Sequence, residues 1–225
     1  MILVGQYDSP YVRRVAVSLA YLGLPFERSP LSVFGDAEAM REINPLGRVP
    51  SLVLDDGEVL VDSAAILDHL DEIAGPGKSL MPAKGAERRH ALQIIALANG
   101  AMDKTIAIGY EQLLRPPELI HQPWIERNTI QRDTALDALE VLVPDHGWFG
   151  GDRLMQPDIT VAAALGYIRF RSNIAGTVPN LPKLARLSKE AEALPAFSQC
   201  LPSVAEIGGT AIEAEAGLRR FQGLS

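Results

Sequence analysis

Gly47-Arg48-Val49-Pro50-Ser51-Leu52 places a proline between a valine and an apolar run, and Asp62-Ser63 stands directly before Ala64-Ala65-Ile66-Leu67. Proline cannot donate to a strand ladder and fixes its own φ, so Pro50 suits the start of a strand. With a cis Val49–Pro50 bond, the N–H and C=O of Val49 would turn outward, where an extended peptide can pair with them. Asp62 and Ser63 open a helix whose bare N–H groups and positive end suit a carboxylate. Ser9-Pro10 repeats that arrangement, because serine is a favoured N-cap and proline is favoured at the first helical position. A hydroxyl there can cap the helix with its oxygen and still direct its proton to a bound anion. Local structure alone explains each of the three: an edge-strand proline and two helix caps. Their order, however, brings them to one end of a small sheet, where ligands of open α/β sheets gather. The chemistry is that of a site for a small anionic peptide, with Arg13, Arg14 and Arg48 as the cations near its mouth.

The elements that must position these residues change character along the chain. Up to about Gly75, short apolar runs alternate with helical patterns, as βαβ units do. Ile2-Leu3-Val4 reads as a strand. Val12, Val15, Ala16, Leu19 and Leu22 recur at helical spacing, and Gly23 supplies the stop. Phe26-Glu27-Arg28 is a second strand, parallel to the first because a helix intervenes. A short helix near Ala37–Ile43 follows. Ser51–Leu54 and Val59–Val61 then form a hairpin around Asp55-Asp56-Gly57, and Ile66, Leu67, Leu70 and Ile73 stripe a closing helix. Past the Pro/Gly-rich stretch 77–85 strand signals vanish, and helical patterns run over Arg88–Leu114, Pro123–Val143, Asp158–Arg171 and Leu181–Ala193. The expected fold is α/β plus all-α: a βαβαββα domain over residues 1–76, a linker over 77–85 and a helical-bundle domain over 86–225. The tail after about residue 203 carries no assigned structure.

Composition narrows the classes of partner. At 225 residues the chain can build two modest domains. A net charge of −7 and a pI near 5.1 leave no basic stripe to neutralise phosphates, so nucleic acid is not expected. One cysteine rules out an internal disulfide, and with four scattered histidines it offers no zinc cluster of standard spacing; no metal is expected. The start Met1-Ile2-Leu3-Val4 lacks a basic n-region and no apolar run is long enough to span a bilayer, which points to a cytoplasmic protein with no membrane partner. No Gly-x-Gly-x-x-Gly or phosphate-loop pattern supports a nucleotide-binding alternative.

Five segments carry a resemblance to a known family. They are Ser9-Pro10-Tyr11-Val12-Arg13-Arg14-Val15, Leu22-Gly23-Leu24-Pro25-Phe26-Glu27, Asn44-Pro45-Leu46-Gly47-Arg48-Val49-Pro50-Ser51-Leu52, Asp62-Ser63-Ala64-Ala65-Ile66-Leu67, and Gly151-Asp152 with Asp158-Ile159. Over about residues 1–200 the chain resembles the glutathione transferases: a thioredoxin-like domain, then their helical domain. The Ser-Pro opening resembles bacterial members with serine at the active position. The resemblance implies that Ser9 donates a hydrogen bond to the glutathione sulfur and holds it as thiolate. It implies that Val49, ahead of a cis-Pro50, pairs with the cysteinyl backbone, that Asp62 and Ser63 hold the γ-glutamyl end, and that Arg48 faces the glycine carboxylate. Tyr11, Arg13 and Tyr110 are expected to line the electrophile pocket. Glutathione is thus the implied co-substrate, a small hydrophobic electrophile the second substrate, and a homodimer the implied assembly. The implied reaction is conjugation. The alternatives are a glutathione-dependent isomerase, dehalogenase or peroxidase on the same fold, or a non-catalytic binding protein.

Two departures from the family pattern stand out. Where members carry Ser or Thr three residues before Asp158, this chain has Met155, which offers no capping oxygen and forgoes about 1 kcal/mol of helix stabilisation. Pro157 restores part of that through its preset φ. Tyr7 competes with Ser9 for the active position; Ser9 is preferred because it adjoins the helix start.

Overall fold

The computed structural model of the chain describes residues 1–208 and 211–223. Four short strands, β1 (Ile2–Val4), β2 (Glu27–Ser29), β3 (Ser51–Val53) and β4 (Val59–Val61), form one sheet in the order β2-β1-β3-β4. β1 and β2 are parallel, joined through helix α1 (Pro10–Leu22). Gly23 ends α1 in the left-handed conformation at φ 69°, as an αL cap requires. Helix α2 (Ala37–Ile43) leads to β3, which runs antiparallel to β1 and makes the expected hairpin with β4. Helix α3 (Ser63–Ala74) follows at once. Leu3, Val4, Val12, Val15, Ala16, Leu19, Leu52, Ile66 and Leu70 bury the faces that α1, α3 and the sheet turn to one another. This is the expected thioredoxin-like βαβαββα arrangement.

The chain divides into two compact units by its contacts, the first comprising Met1–Ala83 and Ala193–Glu215, the second Lys84–Glu192 and Ala216–Ser225. The second unit is helical: α4 (Gly85–Leu114), a single 3₁₀ turn (Pro117–Leu119), α5 (Gln122–Leu142), α6 (Gln156–Phe170), α7 (Ser172–Ala175) and α8 (Pro182–Glu192). α4 packs on α5 and α6, and α6 on α8. All but one of the residues of α6 are buried, which fits a helix that is apolar around its whole circumference.

The region after Glu192 differs from the expectation. It holds α9 (Pro195–Ser198), α10 (Val204–Ile207) and α11 (Ala211–Gln222), and its first part belongs with the α/β unit rather than with the helical one. A capping box folds α10. The amide of Ser203 donates to Glu206 Oε2 at 2.6 Å, and the amide of Glu206 to Ser203 Oγ at 3.3 Å. That Ser-x-x-Glu pattern stood in the sequence, but four helical residues are too few to show a periodicity.

Candidate functional site

Strand register brings the three motifs together. Val4 pairs with Ser51, and Ser51 with Val61. The residues one step beyond that row are Gly5, Pro50 and Asp62, so the β1–α1 turn, the proline loop and the start of α3 leave the sheet at the same end. The Val49–Pro50 bond is cis, as expected. Pro50 is buried, Val49 half-buried and Arg48 exposed.

Asn44 and Gly5 hold the proline loop. The buried Asn44 side chain donates from Nδ2 to the Arg48 carbonyl at 2.8 Å and accepts at Oδ1 from the Leu46 amide at 3.0 Å, closing the loop from within. Gly5 takes φ 127°, and a Cβ placed there would lie 2.9 Å from Val49 Cβ and 2.6 Å from Val12 Cγ2. Only a residue without a side chain lets the loop come that close to β1 and to the first turn of α1.

At the first helix start, Ser9 is the N-cap of α1, and its Oγ accepts from the Val12 amide at 3.5 Å. That contact is long and engages only the oxygen, so it leaves the hydroxyl proton uncommitted. At the second, Asp62 caps α3 by accepting from the Ala64 amide at 2.8 Å. Asp62 does so at φ 71° and ψ 135°, a conformation that costs a residue bearing Cβ about 1–3 kcal/mol and that gathers at functional sites. Ser63, 2 % exposed, accepts at Oγ from Arg14 Nη2 at 2.6 Å.

The residues expected at the electrophile pocket fall in different settings. Tyr11 is half-buried on α1, with the Arg14 guanidinium 5.5 Å from its ring centre. Tyr110 is 45 % exposed on α4 of the helical unit. Arg13 departs from the expectation. It is fully buried, and its Nε donates to the Cys200 carbonyl at 3.0 Å and Nη2 to the Phe197 carbonyl at 3.5 Å, with the Phe197 ring 5.4 Å away. Its donors serve the segment that follows Glu192.

Tyr7 is likewise engaged inside the α/β unit. It is 2 % exposed and its amide donates to Glu206 Oε1 at 2.9 Å. The Arg28 guanidinium lies 3.5 Å from its ring centre, and Cys200 is its neighbour in the interior. Burial, then the nearby Cys200, pushes the phenol well above its ordinary value, and burial pushes the Cys200 thiol up to about 11. A phenol so buried keeps its proton at neutral pH, and Tyr7 lies within the core of the α/β unit while Ser9 stands at the start of α1. Among the described residues, no three His, Cys, Asp or Glu side chains group as metal ligands would, and no helix is long and apolar enough to cross a membrane.

Known proteins resemble the chain in sequence and in fold. The model for the glutathione S-transferase N-terminal domain matches residues 3–78 and that for the C-terminal domain residues 122–190. Maleylacetoacetate isomerase of Pseudomonas aeruginosa is 31 % identical over 90 % of this chain and 96 % of its own length. The chain belongs to the glutathione S-transferase family. A glutathione S-transferase from Methylobacterium radiotolerans, in complex with glutathione sulfonate, superposes with a TM-score of 0.80 at 29 % identity, covering 93 % of this chain and 96 % of that one. A glutathione transferase family member from Pseudomonas fluorescens, with bound glutathione, gives 0.77 at 33 % identity, covering 90 % and 98 %.

Within this chain, sequence reasoning reached the residues that cap, turn or open an element. It missed the support beneath them: Gly5, the loop-closing role of Asn44, and the bond from Arg14 to Ser63. Gly5 next to a strand end was a readable signal for close backbone approach; the long-range bond from Arg14 had none.

Proposed function

We propose that the chain is a glutathione transferase in which Ser9 stabilises the thiolate of reduced glutathione for attack on a small hydrophobic electrophile. The observation that carries this reading is the convergence of Ser9, Val49-Pro50 and Asp62-Ser63 at one sheet end by strand register. The tripeptide lies extended along the proline loop. The Val49 backbone pairs with its cysteinyl unit, Ser63 takes the glutamyl carboxylate through hydroxyl and amide, the Asp62 carboxylate takes the amine, and Arg48 faces the glycine carboxylate.

The energetics need no metal and no general base. Lowering a thiol from a pKa of ~8.5 to about 6.5 requires roughly 2.7 kcal/mol of selective thiolate stabilisation. A hydrogen bond from Ser9 to the charged sulfur contributes ~1.5–3 kcal/mol, and the N-terminus of α1 about 0.3–1 kcal/mol. The thiol proton leaves to solvent first; the sulfur lone pair then forms a bond to the electrophilic carbon, either as a leaving group departs with its bonding pair or as the π pair of a conjugated alkene shifts to an atom that takes a proton from solvent. Holding the two reactants side by side supplies much of the remaining rate. Tyr11, half-buried on α1, lines the electrophile's side of the site.

A second reading has a specific observation behind it, the 31 % identity to a maleylacetoacetate isomerase. Thiolate addition to a conjugated cis alkene, rotation about the resulting single bond and elimination of the thiolate would regenerate glutathione and yield the trans isomer. Both readings share the first step, so Ser9 serves either. A pair of chains related by a two-fold axis completes the proposal: α4 leaves Leu92, Leu113 and Leu114 about half exposed, more apolar surface than one stripe requires.

Ser9→Ala tests the chemistry. It should cut turnover at neutral pH by about tenfold to a hundredfold and raise the pKa of bound glutathione toward that of the free thiol. Thiolate absorbance of the glutathione complex as a function of pH is the readout, and an unchanged pKa and rate would remove Ser9 from the mechanism. Stoichiometric consumption of glutathione separates conjugation from isomerisation, which returns it.

A further inference from the structure

Arg14 is 1 % exposed, and a guanidinium drawn this far out of water requires matched partners. One of them is the Ser63 hydroxyl, whose Oγ accepts from Nη2 at 2.6 Å, a short, charge-assisted bond across an interval of 49 residues. A second is the ring of Tyr11, one turn earlier on α1 and 5.5 Å from the guanidinium. Tyr11 and Ser63 thus hold the guanidinium from two elements. Guanidinium stays protonated and can only donate, so the Ser63 oxygen can only accept from it. The hydroxyl proton is then left to point elsewhere. Ser63 is also the first residue of α3, where the backbone N–H has no partner within the helix.

We propose that Arg14 is the positioning residue of the glutamyl subsite, fixing the polarity of the Ser63 hydroxyl so that its proton and the Ser63 amide both meet the α-carboxylate of glutathione. The proposal rests on the assignment of Ser63 as carboxylate anchor made under Proposed function. Arg14 touches no ligand atom; it acts through Ser63 and adds a buried positive charge behind the start of α3.

The test uses two peptides, glutathione and γ-aminobutyryl-cysteinyl-glycine, which is glutathione without its α-carboxylate. The intact protein should prefer glutathione. Arg14→Met should raise KM for glutathione about tenfold, change kcat less than threefold and leave KM for the des-carboxy peptide unchanged, so that the preference collapses. Arg14→Lys, which keeps a donor and a charge, should recover part of it. Ser63→Ala keeps Arg14 and supplies the check if Arg14→Met does not fold: it should lower the preference by a similar factor, and adding Arg14→Lys to it should lower it no further. Equal weakening toward both peptides in the Arg14 variants, or a preference untouched by Ser63→Ala, would overturn the positioning role while glutathione binding stands. Failure of the unaltered protein to bind glutathione in calorimetry would instead overturn the reading on which the role depends.

Discussion

Asp158 and Glu206 are both carboxylates drawn out of water, yet they settle on opposite sides of their ordinary range. Asp158 is fully buried at the start of α6, where Oδ1 accepts from the Phe149 amide and Oδ2 from the Met155 amide, each at 2.9 Å. Burial outweighs these two bonds and raises its pKa from 3.8 to about 6. Because the folded value lies above the unfolded one, the Asp158 contribution to stability is complete below pH ~4 and is lost as pH rises toward about 6. Its carboxyl carbon should titrate with a midpoint near 6 by NMR, and the stability advantage of the native protein over Asp158→Asn should shrink across that window. A midpoint near the ordinary carboxylate range would contradict the assignment. For Glu206, burial pushes upward, but the Ser203 and Tyr7 amides and the Arg28 guanidinium at 2.7 Å prevail, and the pKa falls below 4.5. Here the sign reverses: the stabilisation is present above pH ~4.5 and is lost as pH falls through the lowered value. Glu206→Ala should lower stability by about 1–3 kcal/mol at neutral pH, since it leaves the Tyr7 amide and Arg28 without their acceptor. The gap in thermal midpoint should narrow as the solution is acidified; a gap independent of pH would mean the charge of Glu206 plays no part.

At the scale of elements, the β1–α1 turn and the proline loop depend on one missing side chain. Gly5→Ala forces a methyl group to within 3 Å of Val12 and Val49 at a φ of 127° that side chains avoid. The variant should lose about 1–3 kcal/mol in urea denaturation and weaken glutathione binding together, because the loop that presents Val49 must retreat. Loss of stability with affinity intact would show that the loop keeps its place without the close contact. At the start of α6 Met155 supplies no oxygen, but the capping arrangement persists through Asp158, whose carboxylate accepts from the Met155 amide.

For the molecule as a whole, chain order and spatial membership part company. The chain leaves the α/β unit after Ala83, builds the helical unit, and returns to the first unit at Ala193. The returning segment is held by the first thirty residues: the Arg13 side chain to the carbonyls of Phe197 and Cys200, and the Tyr7 amide with the Arg28 side chain to Glu206. Arg13 reads in sequence as a cation at the mouth of the site; its partners, nearly 190 residues further on, make it part of the interior.

The sequence by itself determined the strands and most helices, because periodicity, capping serines and glycine stops act over a few residues. It also determined the Ser9, Val49-Pro50 and Asp62-Ser63 motifs, since each is a local solution to starting an element. Tertiary structure alone decided what the charged side chains near them do. Whether Arg13 faces a ligand or two buried carbonyls, whether Arg14 stands beside Ser63, and whether Tyr7 or Ser9 offers a free hydroxyl depend on partners 49 to nearly 200 residues away. A guanidinium or phenol has the same intrinsic preferences in either place, so only the packing that removes it from water and supplies its partner fixes the outcome.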